Sequence, residues 1–348
     1  MKGIMMFLVI LYHSEVYYGS GHTWSWVFEP FFLSGFFFIS GYLFTSNIRV
    51  VVLKTKLKQV FRTIILPYFV FVTLLGFPKI IVGSINAQQY WIDVIMLRAS
   101  WFVIAIAVMQ IIYAVLLSCK PLISYLIVFT IVVFLTGYVF VVLYRNPPCW
   151  LVENPWLHSD VLPNRLPACL NLALVQSPFF ALGILFRHYE GMVSKYIIGG
   201  GKSLLISVLL YLIVYVWIDH TYIGSSMCVV MNTYNNIILI FLIGIIGIWA
   251  LICISHKIQN VKFVNYIGKY SLLFYFLNGG VLTVVSYVIK KHNFLNPENY
   301  VCQIIVALIA TLLMFPCIWL IDKYIPILAG NKESFNKFSQ KLGLNIRW

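Results

Sequence analysis

Hydrophobic residues fall in long uninterrupted runs, and polar residues are confined to the short segments between them. The runs are rich in Ile, Leu, Val and Phe and lack strict alternation, so they predict helices and not strands. Ten of them approach the ~20 apolar residues that carry a helix across a bilayer. They cover about 3–19, 26–46, 63–82, 100–118, 122–144, 167–187, 203–218, 233–255, 270–289 and 300–321, the first being short. Only helices and closed barrels satisfy their backbone groups in lipid. The pattern therefore predicts an all-α fold, a polytopic integral membrane helix bundle of about ten transmembrane helices. It divides the chain into a membrane domain, 1–325, and a polar tail, 326–348.

Composition sharpens this picture. The chain is 61% hydrophobic and 10% charged, where a soluble domain carries about 25% charged residues. A net charge of +14 would suit nucleic acid if it were gathered in one solvated domain. It is split among short loops instead, which excludes that partner and fits the positive-inside rule. With the N-terminus inside, eighteen Lys and Arg fall in inner segments. Six fall outside: Lys79, Arg98, Arg145, Arg165, Lys290 and Lys291. Both termini are thus expected in the cytoplasm.

The stretch Asn47–Arg62 reads as a basic, partly amphipathic segment on the cytoplasmic face. The outer loop Arg145–Pro167, with Pro147, Pro148, Pro155, Pro163, Trp150 and Trp156, reads as a structured cap. The seven cysteines show no metal-like spacing and read mainly as small buried apolar groups. A pair such as Cys149 and Cys228, both in outer loops, could bridge, which sequence alone does not show. No metal or tightly bound cofactor is expected. The first run lacks a small-residue cleavage site and reads as a retained span.

Chemistry enters with His13. Of seven histidines it alone lies inside a hydrophobic run, and an ionisable group at membrane depth is a functional-site candidate by default. Lys2 precedes it by eleven residues, about 20° past three full turns, so both share one helix face about 16 Å apart. A cation at the mouth and an imidazole at depth suit a long anionic donor such as acyl-CoA. A sugar hydroxyl is a poor nucleophile, and His is the base most often used on such a group. The plainer reading is a snorkelling lysine and an imidazole bonded to a neighbouring helix.

Lys58 and Arg62, with Lys54 and Lys56, are candidates for the donor's phosphates, or simply carry the positive-inside signal. Ser40, Tyr42 and Tyr17 offer hydroxyls to an oxyanion, or pack. Trp101 offers a ring for a sugar, or is an interfacial aromatic. Glu15 lies about 200° around the helix from His13. Glu15 and Glu29 read as water-exposed interfacial carboxylates, though Glu29 could approach His13 from the second span.

Lys2-Gly3-Ile4, followed by an apolar run and Tyr12-His13-Ser14, resembles the opening of the acyltransferase family 3 membrane proteins. Phe36-Phe-Phe-Ile-Ser40-Gly41-Tyr42, Leu66-Pro67-Tyr68 after Arg62, Ser100-Trp101-Phe102 and Pro178-Phe-Phe-Ala-Leu-Gly183 resemble later stretches of that family. Ile267-Gly-Lys-Tyr-Ser271 with Phe274-Tyr275 resembles its late Gly-x-x-Ser-x-x-x-Tyr stretch. The resemblance implies transfer of an acyl group, usually acetyl from acetyl-CoA, to a sugar hydroxyl. Its acceptors would be O-antigen, capsule or exopolysaccharide precursors, and its setting the bacterial cytoplasmic (inner) membrane with its lipids.

It maps the family's histidine onto His13 and its basic partner onto Lys2, where most members carry Arg. Three departures stand out. Asn278 occupies a place where many members have His, the paired arginines before the third span are reduced to Lys58 and Arg62, and few residues precede Lys2. The competing reading is a lipid-linked glycan transporter or flippase, or an O-antigen-polymerase-like protein. A flippase would show twelve or more spans, charged cavity residues or internal repeats; the interiors of spans four to ten carry no such charges.

Overall fold

The computed structural model describes residues 1–19, 25–81, 86–145, 147–148, 152–154, 156–157, 165–198, 200–221 and 236–341. Every regular element among them is helical. In chain order these are α1 (Lys2–Tyr17), α2 (Ser25–Phe44), α3 (Leu53–Val60), α4 (Leu66–Ile81), α5 (Ala87–Ile95), α6 (Trp101–Cys119) and α7 (Ile123–Arg145). They continue with α8 (Leu170–Val175), α9 (Ser177–Ile197), α10 (Gly201–Thr221), α11 (Ile237–Lys257), α12 (Lys262–Lys269), α13 (Ser271–Lys291), α14 (Tyr300–Tyr324) and α15 (Lys332–Lys341).

Among the described residues, eight helices are long and apolar enough to cross a membrane, and nine when one bent pair counts as a span. The remaining expected span is α1, with 16 residues. At 1.5 Å per residue it is about 24 Å long, short of a ~30 Å hydrocarbon core. The protein is an all-helical, multi-pass membrane protein. The face of α7 formed by Ile127, Val128, Ile131, Val132, Leu135 and Val139 is exposed, as a lipid-facing surface is.

Two spans differ from expectation. The sixth is broken into 167–175 and 177–196, with a 62° bend. Pro178 explains the position of the break: it lacks the N–H that would bond the Leu174 carbonyl one turn back, and its ring crowds that carbonyl. Gln176 closes the first piece at φ −85°, ψ 1°. The third span does not start at residue 63. The basic stretch is itself helical, as α3, and runs through a π-helical turn, Phe61–Ile65, into α4.

The chain divides into two units. The first holds α1, α2 up to Ile39, α9 from Tyr189, α10 to α13, and α14 up to Ile321. There α1 packs along α12 and α13, and α10 along α11. Tyr211, Ile218, Ile243 and Ile246 close the α10–α11 seam against Phe31. The second holds the rest of α2, α3 to α8, α9 up to His188, and the segment from Asp322. There α6 packs against α3 and α8, and α8 against α7, around buried Tyr113, Phe179 and Phe180.

Glu15 overturns its expectation. It is fully buried, and it accepts hydrogen bonds from the Ser25 backbone N–H at 3.0 Å and from Ser25 Oγ at 2.8 Å. A carboxylate of α1 thus caps the N-terminus of α2, where orphan N–H groups and the helix dipole favour negative charge. Cys169 and Cys253 are buried as expected, whereas Cys119 is exposed. Cys149 and Cys228, and most of the expected cap over 145–167, lie outside the described residues.

Candidate active site

In the first unit the candidate site residues are Lys2 and His13. His13 Nδ1 lies 2.8 Å from the Val9 carbonyl oxygen one turn back. A carbonyl can only accept, so Nδ1 carries a proton, and in the neutral ring the lone pair is on Nε2. The ring is half-buried. It meets Tyr12 edge-on at 5.4 Å and stacks with Tyr17 at 6.2 Å.

The flanks of α1 show where that ring points. On one side, Tyr12 contacts Phe32 of α2, and the Met5 sulfur lies 2.6 Å from where a Gly35 Cβ would stand. On the other, Ser14 Oγ donates to the Gln303 carbonyl of α14 at 3.1 Å, and Tyr17 Oη lies 3.6 Å from a Cβ built at Gly279 of α13. Tyr12 and Ser14 sit about 100° to either side of His13. His13 therefore faces the seam between α2 and the α13–α14 side, with Lys2 on the same stripe at its other end.

Lys2 is positioned by glycine. A side chain at Gly3 would run into the Val264 carbonyl of α12, and one at Gly268 would stand 3.1 Å from the Gly3 nitrogen. The start of α1 thus touches α12 backbone to backbone, and two stretches far apart in sequence, Lys2-Gly3 and Gly268-x-x-Ser271, meet there.

In the second unit are Ser40, Tyr42, Lys58, Arg62 and Trp101. Ser40 Oγ accepts from Gln110 Nε2 of α6 at 3.0 Å. Gly41 lies so close to the Phe180 carbonyl of α9 that no side chain would fit. The Tyr42 hydroxyl accepts from Arg187 at 2.8 Å, and that guanidinium also lies 5.0 Å from the Tyr42 ring. Lys56 donates to the Phe44 carbonyl, closing the C-terminus of α2. Lys58 and Arg62 are both half-buried, Arg62 within the π turn. Such turns often mark functional positions.

Trp101 stands apart from these groups. It opens α6, nine residues and about 14 Å before Gln110, under the Arg165 guanidinium at 5.2 Å. Beside it in sequence, Arg98 and Asp93 form a buried ion pair at 2.8 Å. Charge counting along the sequence takes Arg187, Arg98 and Arg165 only as loop charges. The one sequence signal for Arg187 is its place just after the Pro178–Gly183 stretch.

These joints link the sequence stretches pairwise: Lys2-Gly3 with Gly268, and Ser40-Gly41-Tyr42 with Phe180 and Arg187. The acyltransferase domain model of acyltransferase family 3 matches residues 1–322. The chain belongs to acyltransferase family 3. No curated protein and no solved structure matches it. As a family 3 acyltransferase it is a membrane-embedded acyltransferase, and the matched region runs from α1 into the last turn of α14. The segment that carries α15 lies beyond the match.

Proposed function

We propose that this protein moves an acyl group, acetyl in the first instance, from acyl-CoA to a hydroxyl of a cell-surface carbohydrate. The observation that carries this reading is the fixed imidazole. The bond from Nδ1 to Val9 leaves His13 Nε2 as a base on the same stripe as Lys2. Nε2 takes the proton of the sugar hydroxyl, and the oxygen attacks the thioester carbonyl. The tetrahedral oxyanion then collapses with loss of the CoA thiolate, which His13 reprotonates. Lys2, about 16 Å along the helix, is the cation for the donor's phosphates. Lys58 and Arg62 are proposed as donor-binding residues, and Trp101 as a platform for the acceptor sugar. Ser40 and Tyr42, held by Gln110 and Arg187, are proposed as donor-side hydroxyls. The setting is the bacterial inner membrane, with both termini cytoplasmic.

The test is acyl transfer by purified protein. His13→Ala is expected to lower kcat by about 10²–10⁴-fold; unchanged turnover would remove the base assignment. Lys2→Ala and Arg62→Ala are expected to raise the KM for acyl-CoA with kcat little changed. Unaltered KM in both would move the donor site elsewhere.

A further inference from the structure

The segment after α14 is packed onto the second unit and does not hang free. Leu328 and Phe335 are buried. Gly330 adopts a left-handed backbone, φ +76°, and a Cβ there would stand 3.3 Å from Thr63 Cγ2. Thr63 follows Arg62 in the π turn. The chain then enters α15, with the Asn331 side chain accepting from the Ser334 N–H at 3.1 Å. The turn before α15 therefore lies directly on the π turn that carries Arg62.

Two features of the turn and of the segment laid on it call for a ligand. Arg62 Nε, a donor in the π turn, and Asn336 Oδ1, an acceptor on α15 six residues beyond Gly330, are both buried with no hydrogen-bond partner among the described residues. Closing a protein over such groups is unfavourable unless something bonds them. The second feature is charge. The stretch leading into the turn carries Lys54, Lys56, Lys58 and Arg62, and the segment from the end of α14 onward carries Lys323, Lys332, Lys337 and Lys341 against Asp322 and Glu333. Basic segments brought together at the Gly330–Thr63 contact repel, and an anion bound there relieves the repulsion.

We propose that residues 326–341 form a lid over the Arg62 turn, closing on a phosphate-bearing ligand that also carries an N–H donor. The phosphate accepts from Arg62 Nε, and the N–H donates to Asn336 Oδ1. On the acyl-CoA reading above, on which this identification rests, the ligand is the nucleotide end of the donor. It has phosphates and an adenine amino group, which asparagine recognises well. An aminophospholipid headgroup shares the chemistry. Asn336 lies beyond the family match, so this contact belongs to the chain's own tail.

The experiment uses the full chain in phosphatidylcholine nanodiscs, whose headgroups carry no N–H, titrated with adenosine 3′,5′-bisphosphate. The nucleotide is expected to slow amide exchange across 326–341. Asn336→Leu is expected to weaken its binding about tenfold. The same variant should leave the unliganded melting temperature at or above wild type, because it removes a buried unbonded acceptor. A lower melting temperature with unchanged affinity would make Asn336 structural and overturn the proposal. A second arm substitutes phosphatidylethanolamine without nucleotide. Protection there that Asn336→Leu abolishes supports the lid and assigns it to the headgroup. No Asn336-dependent protection in either arm overturns it. Nucleotide binding without acyl transfer would keep the lid and remove the acyl-CoA reading. Transfer with an unresponsive tail would do the reverse.

Discussion

Glu15 shows how a single residue joins two helices of this protein. Its carboxylate meets both the N–H and the hydroxyl of Ser25 across the connection between α1 and α2. Glu15→Ala would strand a buried N–H at the start of α2. The expected cost is about 1–3 kcal/mol, seen as earlier thermal unfolding in detergent, with Glu15→Gln milder. The sequence could not announce this, because the partner lies on the next helix and a carboxylate near a span end ordinarily faces water. His13 was legible as a candidate, and no more than that, for the opposite reason: an imidazole inside an apolar run is costly and is a functional-site candidate by default. Its tautomer was not, since that depends on which carbonyl the ring meets. Arg98 and Arg165 are hidden as well, because charge counting takes a loop arginine as exposed.

At the scale of elements, small residues decide where helices touch. Gly268→Ala would press a methyl toward the Gly3 nitrogen and push the first turn of α1 off α12. Overpacking of this kind costs about 1–3 kcal/mol. Here it should also raise the KM for acyl-CoA, because Lys2 moves with that turn. Lowered stability with an unmoved KM would separate Lys2 from the donor. Nine of the ten runs read from hydropathy correspond to single helices, one of them extended at its start, and the tenth is bent at Gln176. Averaged hydropathy cannot see such a bend, because both pieces are apolar. Nor can it see that lysines continue a helix, because their charge hides the helical register of α3.

For the molecule as a whole, the distribution of Lys and Arg predicts both ends on the cytoplasmic side. A fluorescent protein fused after Trp348 should therefore fluoresce, and alkaline phosphatase at the same point should stay inactive; the reverse pattern would invert the topology. One consequence belongs to α1, whose 16 residues fall some 6 Å short of an average hydrocarbon core. A short span is accommodated by local thinning of the bilayer or by drawing its flanking polar groups inward. Reconstituted into lipids of graded acyl-chain length, the protein should turn over fastest in the thinner membranes. In thick ones the ammonium of Lys2 would be pulled toward oil and affinity for the proposed acyl-CoA donor should fall, making membrane thickness a control on rate.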